Sequence, residues 1–293
     1  MSIQYPKGRK QGVIKEDRSI RRAFAKIEER CASVRNKIEL IDPQYWDELK
    51  DNKYHKSKRN DIKYTLDQDG VGSCAPESAA IMKHACDKRH GLPTITYNPW
   101  SIYWFTSGGR DRGSVIGHNV GHLKEKGICP EEVWPRSHGW KAEPTTEAKE
   151  IAKLFRIVEF FHVRDKAELV SALLQGFNCH GGYSGHAIAF ICYLGRNKVL
   201  YKNSWGESWG DSGFGELDLD EVYFPYGCYA YKNAYDWTEN ELWQPSVDQF
   251  LLNAGCKTFA DRLSIASQDG KKVSDSQRED IYRESMQSVG LAT

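Results

Sequence analysis

The chain has 293 residues, of which 40% are hydrophobic and 28% charged, and its formal net charge is +1. This is enough chain for one large or two small domains around a sizeable core, and the near-zero charge gives no footing for a nucleic-acid or membrane-surface partner. No apolar run reaches the ~18 residues of a membrane-spanning helix, and the polar, basic start lacks the apolar stretch of a secretory signal.

Residues 1–16 are polar and basic and read as a mobile arm. Ile20, Phe24, Ile27, Cys31, Val34 and Ile38 then step by alternating fours and threes, which predicts one apolar face of a helix over 20–38. That face is expected to dock on the domain that follows, with a docking site for another chain or an inhibitory segment as the sharper reading. Residues 41–66 read as irregular. Residues 74–90 predict a buried helix carrying Ala79, Ala80, Ile81, Met82 and Ala85, and further helices are expected over 114–126, 145–156 and 165–174. Beyond 180 the texture changes. Ala187–Tyr193 and Lys198–Tyr201 read as strands joined by a turn at Gly195-Arg196-Asn197, and residues 213–217 as another. Helices first and strands second predict an α+β protein with two halves and a cleft between them. The expected organisation is an arm and helix over 1–39, a main domain over 40–243 and an appendage over 244–293. In that appendage, Ser274 and Gln277 have capping-box spacing. Either the helix at 20–38 or this tail could receive a protein partner.

Gln68-Asp69-Gly70-Val71-Gly72-Ser73-Cys74-Ala75-Pro76 runs from a glycine-marked loop into a helix start, where proline is tolerated. A cysteine at a helix N-terminus meets unpaired amides and the positive end of the dipole, which favour the reactive thiolate. By itself that leaves Cys74 as one of eight cysteines. His186 opens a strand after Gly185, and an imidazole can stabilise a thiolate and later protonate a leaving amine. Alone, however, it reads as an ordinary buried or surface histidine. Asn203 could fix the tautomer of such a ring, with Trp205 shielding the pair.

Taken together these blocks carry a resemblance. Gln-x-Gly-x-Gly-Ser-Cys at 68–74, Gly-His-Ala at 185–187 and Asn-Ser-Trp-Gly-x-x-Trp-Gly-x-x-Gly at 203–213 stand in the order and form of papain and the cathepsins, over about residues 40–235. The resemblance implies a papain-like cysteine peptidase with Cys74 as nucleophile, His186 as acid and base, and Asn203 as orienter. It also implies Gln68 as an oxyanion donor beside the Cys74 amide, with Trp205, Ser73, Gly72 and Gly185 in support. It implies a protein or peptide substrate and a thioester intermediate. The alternative is a non-catalytic papain-fold protein used for binding or assembly, which would not need all four of Gln68, Cys74, His186 and Asn203.

The chain departs from the family in places. Val71 stands where a disulfide cysteine is usual, and the other cysteines form no C-x-x-C pair, so reduced thiols in a cytoplasmic or otherwise reducing compartment are expected. Ala75 replaces the usual tryptophan. The stretch before His186 is short, which predicts a trimmed antiparallel sheet or barrel in the right half. The segment before the domain is shorter than a large prosegment, and residues 105–135 resemble compact bacterial and phage members, which allows for phage or particle association. Restraint of activity is then expected from narrow specificity, from placement or from the helix at 20–38. His118 and His122 have metal-ligand spacing but lack the glutamate of H-E-x-x-H and a third ligand. There is no phosphate-binding G-x-x-x-x-G-K-[ST] loop. No metal or cofactor is expected.

Overall fold

The structure, a computed structural model, describes residues 10, 12–16, 30–31, 38–50, 59, 62, 64–89, 95–157, 159–232 and 274–288. Its central helix is α2, Cys74–Arg89, preceded by the single-turn α1, Trp46–Leu49. The α2 side chains from Cys74 to Asp87 are buried on every side, so its polar members, among them Glu77, Lys83 and Asp87, need partners inside the protein. Two of its inward charges satisfy each other: Lys83 Nζ lies 2.5 Å from Asp87 Oδ1, and Tyr97 Oη donates to the other carboxylate oxygen. Helices α3 (Trp100–Ser107), α4 (Ile116–Glu125) and α5 (Thr146–Ala152) complete this half.

Among the described residues, seven strands form an open sheet in the order β2 (Arg30–Cys31), β4 (Glu159–His162), β9 (Cys228–Lys232), β5 (Asn178–Tyr183), β6 (His186–Gly195), β7 (Lys198–Lys202) and β8 (Phe214–Asp218). All pairs are antiparallel except β2 with β4. The sheet is covered on both faces. Alternate β6 residues Ala187, Ala189 and Ile191 join the cluster that includes α2, while Ile188 and Phe190 join Leu169, Val170 and Leu173 of α6 (Lys166–Leu174). Burial on both faces explains why β6 reads as one continuous apolar run rather than an alternating one.

Several expectations need correction. Arg30–Cys31 is a strand paired in parallel with Phe161 and His162, so an unbroken helix over 20–38 does not form. Its other apolar positions, apart from buried Ile38, lie outside the described residues. The stretch before His186, in which the sequence reading placed no strand, is the six-residue strand β5. Its glycines disguised it: a Cβ on Gly181 would stand 2.6 Å from the Phe190 ring, and one on Gly182 2.8 Å from Tyr226. They are there for close approach rather than for a turn. The turn itself is Ser184-Gly185, both with positive φ (46° and 79°), as a two-residue primed hairpin turn requires. It fixes His186 as the first residue of β6, opposite Tyr183.

In the C-terminal region, α7 (Asp275–Ser288) starts with the expected capping box: Gln277 N donates to Ser274 Oγ, and Ser274 N to Gln277 Oε1. Ile281 and Tyr282 pack on the core, and Arg278 Nε lies 3.8 Å from Glu147 of α5. Among the described residues, no helix is long and apolar enough to cross a membrane. Cys74, Cys86, Cys129, Cys179, Cys192 and Cys228 are thiols, not disulfides.

Candidate active site

Gln68, Cys74, His186 and Asn203 meet where the first turn of α2 abuts the start of β6. The Ala187 amide, next to the histidine, points at Cys74 Sγ from 3.5 Å. The His186 Nε2 is 2.7 Å from Asn203 Oδ1, which also accepts the Ser204 amide at 2.8 Å. A backbone N–H can only donate, so the amide contact identifies that Asn203 atom as the oxygen. Nε2 must then carry its proton, and in the neutral ring Nδ1 is the basic nitrogen. Trp205 stacks on the His186 ring, with centroids 4.6 Å apart, and Trp209 meets Trp205 edge-on. The indole keeps water off the His–Asn bond.

Gln68 is fixed from two sides. Its backbone amide donates to Ser204 O at 3.0 Å, and its Oε1 accepts from Ser204 Oγ at 2.9 Å. Its Nε2 therefore faces the loop, donating to Val71 O at 2.6 Å and to Lys10 O at 3.2 Å. The second contact reveals what sequence reading missed. Lys10 and Gly12–Glu16 of the expected mobile arm instead form a strap across the site.

Strand β1 (Val13–Ile14) pairs in parallel with β3 (Ser114–Val115). The Ser114 amide donates to Gly12 O at 2.7 Å, and Val13 N donates to Gly185 O at 3.4 Å. The Gly12 amide points at the Cys74 sulfur. A Cβ on Gly12 would stand 2.0 Å from Gly72 O, and one on Gly113 2.2 Å from Gly12 O, so two glycines make the passage. Lys10 pairs with Asp111, whose other oxygen takes the Gly72 amide at 2.7 Å. Gly72 and Gly185, expected in support, are thus walls of this groove.

The strap seals the site. Gln68, Cys74 and His186 have no exposed surface, and Asn203 keeps 1%. Burial pushes the Cys74 thiol up to about 11 and the His186 imidazolium down to about 4, despite the helpful amides and Asn203. The helix-terminus argument predicted the opposite for Cys74. The dipole acts over the first turn, but loss of water opposes any charge and here it dominates. With the strap in place, the pair is a thiol and a neutral imidazole at pH 7.

Behind Cys74, Ser73 Oγ donates to Glu77 Oε1 at 3.1 Å and accepts from Trp100 Nε1 at 3.2 Å. Arg136 Nη2 bridges Glu77 Oε1 (2.9 Å) and Asp67 O (2.7 Å), tying helix α2 to the Gln68 loop. Burial raises the Glu77 carboxyl to about 7 even against Arg136. Arg136→Ala should therefore cost about 3–5 kcal/mol at pH 8, where a buried carboxylate loses its counter-ion. The cost should shrink at pH 5, where Glu77 is protonated and neutral. Urea unfolding at both pH values checks this; an equal loss at each would remove the ion pair as the cause.

Other histidines lie elsewhere. His180 is buried between Ser78 Oγ (2.8 Å) and Tyr231 Oη (2.9 Å), pushed down to about 3, and ties α2 to β9. His122 stacks on Phe105 while His118 faces solvent. Among the described residues, no group of three or more His, Cys, Asp or Glu side chains is placed to hold a metal.

Among solved structures, xylellain, a cysteine protease from Xylella fastidiosa, superposes with a TM-score of 0.57 at 16% identity, over 80% of this chain and all of that one. The fold is papain-like. Amb a 11, a ragweed pollen cysteine protease solved in its proform, matches with a TM-score of 0.52 at 18% identity over 62% of this chain and 65% of its own. In sequence, an uncharacterized peptidase C1-like protein of Acanthamoeba polyphaga mimivirus is 24% identical over 234 residues, 64% of this chain and 73% of that protein. No family model matches the chain. The papain-like frame explains why residues so far apart in sequence converge. Its helical half supplies Gln68 and Cys74 on one wall, and its sheet half supplies His186 and Asn203 on the other.

Proposed function

We propose that this chain is a cysteine peptidase that hydrolyses peptide bonds through a thioester acyl-enzyme, and that the strap of Lys10 and Gly12–Glu16 holds it inactive. The observation that carries the reading is the junction at Cys74. There a helix-start thiol touches the amide following a histidine whose outer nitrogen is held by an asparagine oxygen. In the proposed reaction, His186 Nδ1 takes the Cys74 proton and the thiolate adds to the substrate carbonyl. The resulting oxyanion is held by Gln68 Nε2 and the Cys74 amide. The imidazolium returns its proton to the leaving amine as the C–N bond breaks. Water, deprotonated by His186, then cleaves the thioester and restores the thiol. Asn203 keeps the ring in the tautomer that does this, and Trp205 protects that contact. The substrate is a protein or peptide, and no cofactor takes part.

A carbonyl of the strap, Lys10 O, lies on the donor assigned to the oxyanion, so strap and substrate compete for one position. An epoxide that alkylates activated cysteines tests the whole reading. Labelling at Cys74 should be slow in the unaltered chain, fast once the strap is displaced, and lost in His186→Ala. A folded, strap-displaced chain that resists labelling would sink it. In that displaced chain, Gln68→Ala should lower kcat by about 10²–10³, as loss of one oxyanion donor does. An unchanged kcat would remove Gln68 from that role.

A further inference from the structure

The far end of the strap shows what the groove is built to receive. Glu16 is only 5% exposed, and its carboxylate sits in a made pocket. Oε1 accepts the Gly117 amide at 2.9 Å, and Tyr229 Oη reaches both oxygens, at 2.8 and 2.9 Å. Gly117 lies in the first turn of the ten-residue α4, whose N-cap, Val115, has no side-chain acceptor. Amides at such an end favour an anion. Tyr229 is fully buried, and its hydroxyl is turned into the pocket. The opposite wall is Gly227, where a Cβ would stand 2.5 Å from Glu16 Oε1, so the wall is hollow where the carboxylate sits. The Glu16 amide donates to Pro225 O, joining the strap to the same wall.

This pocket lies along the groove. From Gly12 at the sulfur to Glu16 is four residues, about 13 Å of extended chain. When the strap leaves, the Gly117 amide and the Tyr229 hydroxyl still converge on the position that the Glu16 carboxylate held. We infer that this pocket is a specificity subsite for an acidic side chain. The preferred substrates are then peptides carrying Glu or Asp within about four residues of the cleaved bond. Glu16 is the chain's own occupant of that subsite. The inference rests on the peptidase reading and on displacement of the strap.

The test uses the full chain carrying Gly12→Val, with fluorogenic peptides in which Glu, Gln and Leu are placed in turn at each of four positions on either side of the bond. One position should show Glu cleaved with at least about tenfold higher kcat/KM than Gln, as expected of a charge-assisted hydrogen bond. Adding Tyr229→Phe should collapse that Glu/Gln ratio. Cleavage with equal rates for Glu and Gln at every position overturns the subsite but leaves the peptidase reading standing. No cleavage together with no alkylation of Cys74 overturns the peptidase reading, and the subsite with it. The peptide series in the Gly12→Val chain decides the matter even if Tyr229→Phe does not fold.

Discussion

Replacing Gly12 with valine should switch the chain on, raising cleavage of a peptide substrate by about ten- to a hundredfold. The contact that forbids a side chain there is with backbone, Gly72 O at 2.0 Å, with Gly113 closing the other side. Neither can rotate away. Overpacking of this kind costs about 1–3 kcal/mol, and each 1.4 kcal/mol is a factor of about ten in an equilibrium. That cost falls on the closed state alone, because the displaced strap has room for a valine. The pH dependence should move as well. With the strap in place, burial pushes Cys74 up to about 11, so its alkylation rate should climb with pH into the alkaline range, since the thiolate is the reactive form. Displacing the strap readmits water and so relieves the desolvation that chiefly opposes the thiolate. The helix-start amides and the imidazole remain, so the inflection should fall to or below the ~8.5 of an ordinary cysteine. Alkylation rates across pH on both chains measure this. Equal rates and equal inflections would mean that the strap does not control the site.

The sequence carried the site better than it carried the surroundings. The three motif blocks hold the four residues that converge, because turn chemistry around them is local: Ser184-Gly185 turns β5 into β6 and puts His186 at its start. Helix α2 and strands β6 and β7 were legible for the same reason, being long apolar runs that local signals bound. Strand β5 was not, because Gly181 and Gly182 look like loop residues until Phe190 and Tyr226 are seen pressing on them. The strap was invisible for a deeper reason. Lys10, Gly12 and Glu16 look polar and loose, and each is held by a partner far along the chain: Gln68, Ser114 and Tyr229. No periodicity records a segment held by long-range contacts of this kind. The pKa of Cys74 was misjudged through the same omission. A helix terminus can be read from sequence, but the peptide that keeps water from it cannot.

The largest loss expected is at the reacting pair. In the Gly12→Val background, Cys74→Ala should leave no measurable turnover, and His186→Ala should lower kcat by about 10⁴–10⁶, the range seen when one member of a coupled nucleophile–base unit is removed. Combining the two should cost no more than the first, since a base without a nucleophile has nothing to activate. Asn203→Ala should cost less than His186→Ala, because it frees the ring without removing it. The fold should tolerate Cys74→Ala, since a buried thiol is traded for a methyl among Ala75, Ala79 and Ala187 with little change in volume. Steady-state rates, paired with urea unfolding of each variant, separate the two effects. A Cys74→Ala chain that still cleaves peptides would move the chemistry to another residue. So would a His186→Ala chain that lost activity only in proportion to its stability, because a base acts on a proton and a packing residue does not.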